Sequence, residues 1–412
     1  MCAARVPALN NERDGANTGG TTDALFAGVR VGFLSTVPST IAVFYRPLID
    51  ALCQQGARVA IMASGHAELQ ELKCGGRAGV FPVDFSRKIT LQRDMLALLH
   101  LLRLFRTQRF HVVHTHTPKA GLLGMLAGWL TGVPVRIHTL HGLPLETARG
   151  WKRKLLTVTE RLTCRLAGRV CVVSSSLKNR VLELRLCPPG KMTILGEGSA
   201  CGVDLNKFRR TPAVEARARA IRQELGIPET AVVVGFVGWM VADKGVMELV
   251  KVFQGLAEDR RDLYLLMAGA DGGNRDPLPA ATWEAIRGNP RIHYVGRVPD
   301  PEHYYTAMDL LVLPSRREGF GLAIAEAGAM GVPAVATRVT GCVDAVMDGR
   351  TGVLVSCGDI AGLQDAIHEL VLHAGFRREL GRAAADRVRA RFASERLIAA
   401  HLDLYRAMLT RG

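Results

Sequence analysis

Two glutamates on either side of a glycine-rich turn are the residues whose spacing most directly implies chemistry. A strand is predicted to end at Pro314 and a helix to begin near residue 321, so Glu318 precedes the helix and Glu326 lies about 7.5 Å along it. Unpaired N–H groups at a helix start, approached through glycines, bind phosphate or other oxygen-rich groups. The two carboxylates can bracket an elongated polyol next to such a group, so this segment is a predicted ligand site.

The elements that must position this segment are short apolar strands alternating with amphipathic helices, in two series that meet near residues 196–210. This rhythm builds doubly wound parallel sheets. We therefore expect an α/β chain of two Rossmann-like domains facing a cleft, residues 28–200 and 201–412, after a disordered leader at 1–27, with a last helix able to cross back. The predicted strands are 29–35, 58–63, 111–116, 133–139 and 169–174, then 231–237, 263–269, 292–295, 310–314, 332–337 and 352–355.

The first domain offers polar residues at the ends of its predicted strands, where a ligand between two such domains would lie. His116 and Lys119 follow one strand and could meet an acceptor or a phosphate, and His141 follows the next strand. An individual histidine is more often structural. We expect a functional role for His141 and leave both roles open for His116. No G-x-G-x-x-G opens the first βα turn, which disfavours a nicotinamide-dependent dehydrogenase.

The positive charge is concentrated in the first half of the chain. The whole chain has a net charge of +15, and residues 1–200 carry 26 Lys and Arg against 12 Asp and Glu. This excess favours anionic lipid or a phosphate-bearing substrate over a merely solvated surface. Nucleic acid is disfavoured, because aromatic residues are only 6% and no recognition motif is present. Residues 151–154 (WKRK) are the candidate interfacial segment, whereas Met95, Leu98, Leu99, Leu102 and Phe105 are expected to pack on the sheet.

The cysteines and the apolar stretches predict a compartment. The 9 cysteines contain no Cys-x-x-Cys pair, which argues against a disulfide framework or a zinc ribbon and favours a reducing cytosol. Residues 1–28 lack the apolar run of a signal peptide. The longest uncharged stretch, residues 120–135, is shorter than a spanning helix and is interrupted by glycines and a proline. We expect a cytoplasmic protein associated peripherally with the inner face of the plasma membrane.

These residues carry a family resemblance that covers almost all of the chain after the leader. The sequence resembles glycosyltransferase family 4, the retaining enzymes with the two-domain GT-B fold. The EGFGLAIAE segment (318–326) is similar to that family's Glu-x7-Glu signature. Further matches are HTHTPKAG (114–121), HTLHGLPLE (138–146), GVDLNKF (202–208) and DGRTGVLV (348–355). The most similar subgroup is the transferases that extend lipid-linked sugars in capsule, O-antigen or glycan assembly.

The resemblance implies roles for individual residues. Glu318 would bind donor-sugar hydroxyls, Glu326 the ribose of a nucleotide sugar, Lys244 the donor phosphates, and His141 would line the reaction cleft. Such a cation would stabilise the departing diphosphate, and the family generally uses it in place of a metal, so no metal or other cofactor is expected. The other implied donor-binding residues are Gly238, Arg297, Gly319, Phe320, Gly321 and Leu322. The implied reaction is transfer of a sugar, with UDP as the expected carrier, to a lipid-diphosphate-linked acceptor, with the leaving diphosphate assisting at the front face.

The chain departs from the family pattern at the expected phosphate clamp. Trp239 stands where an arginine is common, and Arg297, Arg317 and Arg338 are candidate replacements. A charged hydrogen bond of this kind is worth about 1.5–3 kcal/mol. A catalytically impaired binding or scaffold protein is therefore the alternative, and a nucleotide-sugar epimerase is a weaker one. Cys201 replaces a usual asparagine, and residues 35–40 replace a glycine pair after the first strand.

Overall fold

The computed structural model describes residues 25–65, 69–70, 72, 78–86, 90–273 and 276–410. Most of the expected leader lies outside these residues. Within it Phe26 is buried and its N–H donates a 3.1 Å hydrogen bond to the carbonyl oxygen of Gln55. The packed chain therefore starts before residue 28, where we expected it to begin.

The first domain is built on a seven-stranded parallel sheet with the order β3-β2-β1-β4-β5-β6-β7. Its strands are β1 (Arg30–Leu34), β2 (Arg58–Ala63), β3 (Ala78–Pro82), β4 (Val112–His116), β5 (Val135–Leu140), β6 (Arg169–Val172) and β7 (Met192–Thr193). Its helices are α1 (Pro38–Phe44), α2 (Arg46–Gln54), α3 (Leu91–Gln108), α4 (Pro118–Leu130), α5 (Gly150–Leu166) and α6 (Ser175–Glu183). The sequence predicted five of these strands. It missed β3, where glycine and proline weaken the strand pattern, and β7, which is only two residues long.

The second domain is built on a six-stranded parallel sheet with the order β10-β9-β8-β11-β12-β13. Its strands are β8 (Val232–Val237), β9 (Leu263–Ala268), β10 (Ile292–Tyr294), β11 (Leu310–Leu313), β12 (Ala334–Thr337) and β13 (Gly352–Val355). Its helices are α7 (Pro212–Glu224), α8 (Val246–Asp259), α9 (Ala280–Gly288), α10 (Pro301–Ala307), α11 (Leu322–Ala329), α12 (Cys342–Ala345), α13 (Ile360–Leu372) and α14 (Ala374–Arg391), and the last helix of the chain is α15 (Ser394–Leu409). All six strands coincide with predicted ones.

Both strand orders contain a switch point, where the chain leaves one half of the sheet for the other. In the first domain β1 pairs with both β2 and β4, and in the second β8 pairs with both β9 and β11. Ligands of open α/β sheets bind at the carboxyl ends of the strands at such points. The elements around β8 and β11 are those that the sequence predicted to hold the ligand.

The last helix returns to the first domain. The chain crosses between the domains at a bridge where Val203 N–H donates to the Phe392 carbonyl at 2.7 Å and Ser394 N–H donates to the Val203 carbonyl at 2.9 Å. Helix α15 then packs against α2 and β5, and its Leu402 and Tyr405 are buried in the apolar cluster of the first domain. Helices α1, α2 and α15 lie on one face of the first sheet, while α3, α4 and α5 pack side by side on the opposite face.

The expected core stripe of α3 was wrong for two of its five residues. Met95 and Leu99 are exposed, whereas the residues of α3 that bury against the sheet and α4 include Ala97, Leu101, Leu104 and Phe105. Apolar residues repeat at helical spacing on both sides of α3, so spacing alone does not identify the side that faces the sheet. The misassigned residues form an exposed apolar face.

Candidate functional site

Glu318 is held by a lysine and a serine at the carboxyl end of β11. Its Oε1 accepts hydrogen bonds from Lys244 Nζ and from Ser315 Oγ, the latter at 2.8 Å. Lys244 ends a short 3-10 turn after β8, and the following Gly245 has a φ of 72°. A Cβ at Gly245 would lie 2.1 Å from the carbonyl oxygen of Pro314, so glycine is required for this close approach. The structure thus brings together two predicted site residues that are 74 positions apart in the chain.

The loop that follows Glu318 contacts the first domain. Ser174 Oγ donates a 2.8 Å hydrogen bond to the carbonyl oxygen of Gly319. A Cβ on Gly319 would lie 2.1 Å from the carbonyl oxygen of His141, so the two backbones touch here. Phe320 is buried and packs edge-on against Phe392. The loop therefore joins both domains at the floor of the cleft.

Helix α11 begins directly after this loop, one residue later than predicted. Gly321 precedes it with a φ of 75°, and Leu322 is the first helical residue. No described side chain caps the first N–H groups of the helix. These N–H groups carry the positive end of the helix dipole and can bind an anion.

Glu326 lies one turn into α11 and is partly buried. Its Oε2 accepts a 2.8 Å hydrogen bond from the hydroxyl of Tyr305 on α10. Burial raises the pKa of Glu326 to about 7, and the carboxylate of Glu302 adds to this, while Tyr305 and the cation of Lys207 act in the opposite direction. A carboxylate so poorly solvated gains from any additional hydrogen-bond donor that a ligand supplies.

His141 lies opposite this loop, at the end of β5. Its ring stacks on Phe44 with centroids 5.2 Å apart, and its Nε2 lies 3.2 Å from the hydroxyl of Tyr45. Burial, together with the neighbouring His138 and His401, lowers the pKa of His141 to about 3. The imidazole is therefore neutral near pH 7.

The other two residues predicted on the acceptor side are engaged by side chains of the first domain. His116 is fully buried behind Tyr45, whose ring stacks on it at 4.0 Å, so it acts on the cleft only through its neighbours. Lys119 turns toward α3, where its Nζ lies 2.7 Å from Asp94 Oδ1 and 3.1 Å from Ser86 Oγ. Both residues were predicted only from their position after β4. That position does not indicate that Tyr45 stacks on His116 or that Asp94 pairs with Lys119.

The phosphate-clamp region has one unpaired arginine among its three candidates. Trp239 follows Gly238 at the end of β8, and the indole is 46% exposed. Arg317 pairs with Asp243, and Arg338 pairs with Asp348. Within the described residues, Arg297 has no ion-pair partner, and it is exposed after β10. Arg297 is thus the candidate whose guanidinium is available for a ligand.

Polar contacts that the sequence did not indicate connect the domains beside the site. Asp344 of α12 accepts hydrogen bonds from the backbone N–H groups of Ser175 and Ser176, at 3.0 and 3.2 Å, at the start of α6. Glu146 Oε1 accepts from Arg180 Nε and from Thr340 Oγ1, both at 3.2 Å. The local sequence indicates neither the Asp344 nor the Thr340 contact, because in each case the two partners lie in different domains.

The described ranges contain neither a metal-binding cluster nor a membrane-spanning helix. These residues contain no group of three or more His, Cys, Asp or Glu arranged to hold a metal ion. Six of their cysteines are free thiols, namely Cys164, Cys171, Cys187, Cys201, Cys342 and Cys357. No helix in this part of the chain has the length and apolar character needed to cross a bilayer.

Comparison with known proteins identifies the family. Residues 39–198 match the model described as Glycosyl transferase 4-like domain, and residues 218–387 match Glycosyl transferases group 1. The capsular polysaccharide biosynthesis glycosyltransferase CapM of Staphylococcus aureus is 31% identical over 89% of this chain and 94% of its own. An Escherichia coli UDP-Gal:alpha-D-GlcNAc-diphosphoundecaprenol alpha-1,3-galactosyltransferase is 28% identical over 68% of this chain and 71% of its own.

The fold agrees with this assignment. HepE of Anabaena, solved in complex with UDP and glucose, superposes with a TM-score of 0.75 at 19% identity, over 91% of this chain and 99% of its own. Two facing Rossmann-like domains, the glycine-rich loop before α11 and the family matches over both domains lead to one conclusion: this chain belongs to glycosyltransferase family 4 and is a glycosyltransferase with the GT-B fold.

Proposed function

We propose that the protein transfers a hexosyl or N-acetylhexosaminyl group from a nucleotide diphosphate sugar, with UDP as the expected carrier, to a lipid-diphosphate-linked acceptor with retention of configuration. The observation that carries the proposal is the Lys244–Glu318 pair. It lies beside the uncapped start of α11 and faces His141 across the cleft. A cation, free N–H groups and a carboxylate suit a ligand that combines phosphate with a polyol.

The donor would replace the resting ion pair with two new interactions. Its diphosphate would lie at the start of α11 and take Lys244 as a counter-ion, with Arg297 as the additional cation. Glu318 would then accept hydrogen bonds from sugar hydroxyls, while Ser315 Oγ continues to hold it. Glu326 would accept from the ribose hydroxyls, which would offset the cost of its burial.

The chemical step would use the donor's own diphosphate. The bond from the sugar C1 to the diphosphate oxygen breaks, and negative charge develops where Lys244 and the α11 dipole stabilise it. The acceptor hydroxyl attacks C1 from the same face and passes its proton to the departing diphosphate oxygen. Because Ser315 continues to hold Glu318 while the carboxylate accepts from the sugar hydroxyls, we assign it to hydroxyl binding rather than to attack on C1.

An exposed surface of the first domain fits a lipid-borne acceptor. Helices α3, α4 and α5 form one layer, and together they contain nine Lys or Arg against two acidic residues. On the same layer Leu91 is 84% exposed, Leu96 66% and Trp151 72%. Leu91 and Trp151 lie at the starts of α3 and α5, at the cleft edge of the sheet. Basic and apolar side chains together suit an anionic bilayer, so we propose attachment to the inner face of the cytoplasmic membrane.

Transfer of label from a panel of radiolabelled nucleotide sugars into a bacterial membrane extract tests the proposed activity. We expect one donor to be used, and proton NMR of the product to show the donor's anomeric configuration. Lys244→Ala and Glu318→Ala should each lower transfer at least about 100-fold. Lys251→Ala, an exposed lysine on α8, should have no effect. Absence of transfer with every donor, or full activity in both site variants, would refute the proposal.

The substitution at the phosphate clamp supports one competing function, an impaired binding protein. Trp239 supplies no positive charge, although it is exposed beside the donor site. If the protein is impaired, Trp239→Arg should increase transfer strongly. We expect no gain or a loss, because Arg297 and Lys244 would already supply the cations.

Vesicle flotation tests the membrane surface with the full-length protein. We expect binding to phosphatidylglycerol-containing vesicles at low salt and its loss at high salt. Leu96→Glu should weaken binding, whereas Leu372→Glu, an equally large exposed side chain in the second domain, should not. Equal binding to neutral and anionic vesicles would contradict the electrostatic part of the proposal.

A further inference from the structure

A row of buried histidines and tyrosines lies beneath the cleft in the first domain. His114 and His116 come from β4, His141 follows β5, and Tyr45 lies between α1 and α2. Helix α15 adds Tyr405, whose hydroxyl lies 2.6 Å from His114 Nδ1. The other nitrogen of His114, Nε2, lies 2.6 Å from Thr139 Oγ1, so both of its ring nitrogens are engaged.

His141 is in contact with this row through one ring nitrogen only. Its Nε2 lies 3.2 Å from the hydroxyl of Tyr45 and 3.4 Å from Nδ1 of His116. Its other nitrogen, Nδ1, has no hydrogen-bond partner among the described residues. The position of the proton on His141 therefore depends on what Tyr45 and His116 do at Nε2.

The environment of His116 determines which of its ring nitrogens carries the proton, and therefore whether His116 donates to Nε2 of His141 or accepts from it. A neutral imidazole carries one N–H, and Nε2 of His116 is buried without a hydrogen-bond partner. If the proton were on that nitrogen, a buried N–H donor would be unsatisfied, which is rarer in proteins than an under-used acceptor. His116 should therefore hold its proton on Nδ1 and donate it to His141. Burial also lowers the pKa of His116 well below its ordinary value, so the ring has only one proton to place.

We propose that Tyr45 and His116 are positioning residues that fix His141 as the Nδ1–H tautomer, so that His141 presents a hydrogen-bond donor to the ligand. Both partners direct a proton at Nε2, so that nitrogen acts as an acceptor and the ring proton resides on Nδ1. This inference rests on the proposed function for the identity of the ligand. It implies that His141 donates to a sugar or phosphate oxygen and is not the base that deprotonates the acceptor.

The tautomer can be measured without any transfer assay. Long-range proton–nitrogen correlation spectra of protein labelled with ¹⁵N-histidine distinguish a protonated from an unprotonated ring nitrogen, and His141→Asn assigns the signal. We expect His141 to show a protonated Nδ1 and an unprotonated Nε2. In Tyr45→Phe we expect a mixture of tautomers, whereas Tyr264→Phe, in the second domain, should leave the spectrum unchanged. A protonated Nε2 in the unsubstituted protein would overturn the proposal.

Activity gives a second readout. The amide nitrogen of asparagine occupies nearly the same position as Nδ1 of histidine and donates, whereas aspartate can only accept. His141→Asn should therefore transfer sugar at least about tenfold faster than His141→Asp, as expected for one hydrogen bond. Equal rates for the two variants would contradict a donor role. If the protein transfers no sugar at all, the proposed function fails, while the spectra still test the tautomer.

Discussion

Lowering the pH should unfold the first domain through its buried histidines. His114, His116, His141 and His401 are packed together beneath the cleft. Burial is the largest cause in each case, and it lowers the pKa of His141 to about 3 and that of His401 to about 4. For His114 and His116 burial and the neighbouring histidines lower the pKa well below its ordinary value.

The sign and the size follow from proton linkage. In the unfolded chain each histidine titrates near pH 6.5. Between that pH and the lower folded pKa, the unfolded state binds more protons, so stability is complete above about pH 6.5 and falls as the pH decreases. A histidine that stays neutral in the fold down to about pH 5 loses about 2 kcal/mol there, at about 1.4 kcal/mol per pH unit. His141 and His401 together would remove about 4 kcal/mol, which is a large part of the stability of a whole domain. His114 and His116 act in the same direction.

Denaturant unfolding followed by tryptophan fluorescence can test this domain by domain. Trp129 and Trp151 report on the first domain, and Trp239 and Trp283 on the second, so variants that keep only one pair separate the two transitions. We expect the midpoint of the first domain to fall steeply between about pH 7.5 and about pH 5.

One substitution isolates a single histidine. His401→Phe keeps an aromatic ring in the core but removes one proton-binding site, so the loss between about pH 7.5 and about pH 5 should shrink by about 2 kcal/mol. His368→Phe, at an exposed histidine of α13, should leave the loss unchanged. An identical midpoint for the first domain at both pH values, or an identical pH dependence in His401→Phe, would refute the reasoning.

Three further outcomes are expected. Burial raises the pKa of Glu326 to about 7, so its ionisation costs stability as the pH rises from the ordinary glutamate pKa through about 7. Glu326→Gln should therefore raise the melting temperature at about pH 8 but not at about pH 5. Gly319→Ala would place a methyl group 2.1 Å from the His141 carbonyl oxygen, so small-angle scattering should show a more open molecule and donor KM should rise, whereas Gly375→Ala, with open space around its Cβ, should change neither. Asp344→Asn would remove the charge that caps α6 and should also favour the open form, and an unchanged scattering profile would contradict that role.

Local pattern predicted the second domain better than the first. All six strands of the second sheet were predicted, because five of them are short, mostly buried apolar runs between turns, and only the edge strand β10 is partly exposed. The loop before α11 and its partner Lys244 were also located from sequence and family resemblance. Their pairing became visible only in the structure, because 74 residues separate Lys244 from Glu318.

The features that the sequence did not indicate have a common physical cause, which is contact over long sequence distances. The direction of Lys119 depends on Asp94 in another helix, and no feature of its own segment indicates this. The burial of His116 depends on Tyr45, and that of His114 depends on Tyr405, which is 291 residues away. The two apolar sides of α3 look alike in the sequence, and only packing on the sheet distinguishes them.

The return of α15 has a consequence for protein synthesis and for engineering. Leu397, Leu402 and Tyr405 belong to the core of the first domain, yet the ribosome makes them only after the second domain. That domain cannot complete its core when it emerges, and must wait until the second domain has also been translated. The same connection means that a chimera exchanging second domains between relatives must leave α15 with the first domain. A truncation that removes α15 should therefore disturb the first domain rather than the second.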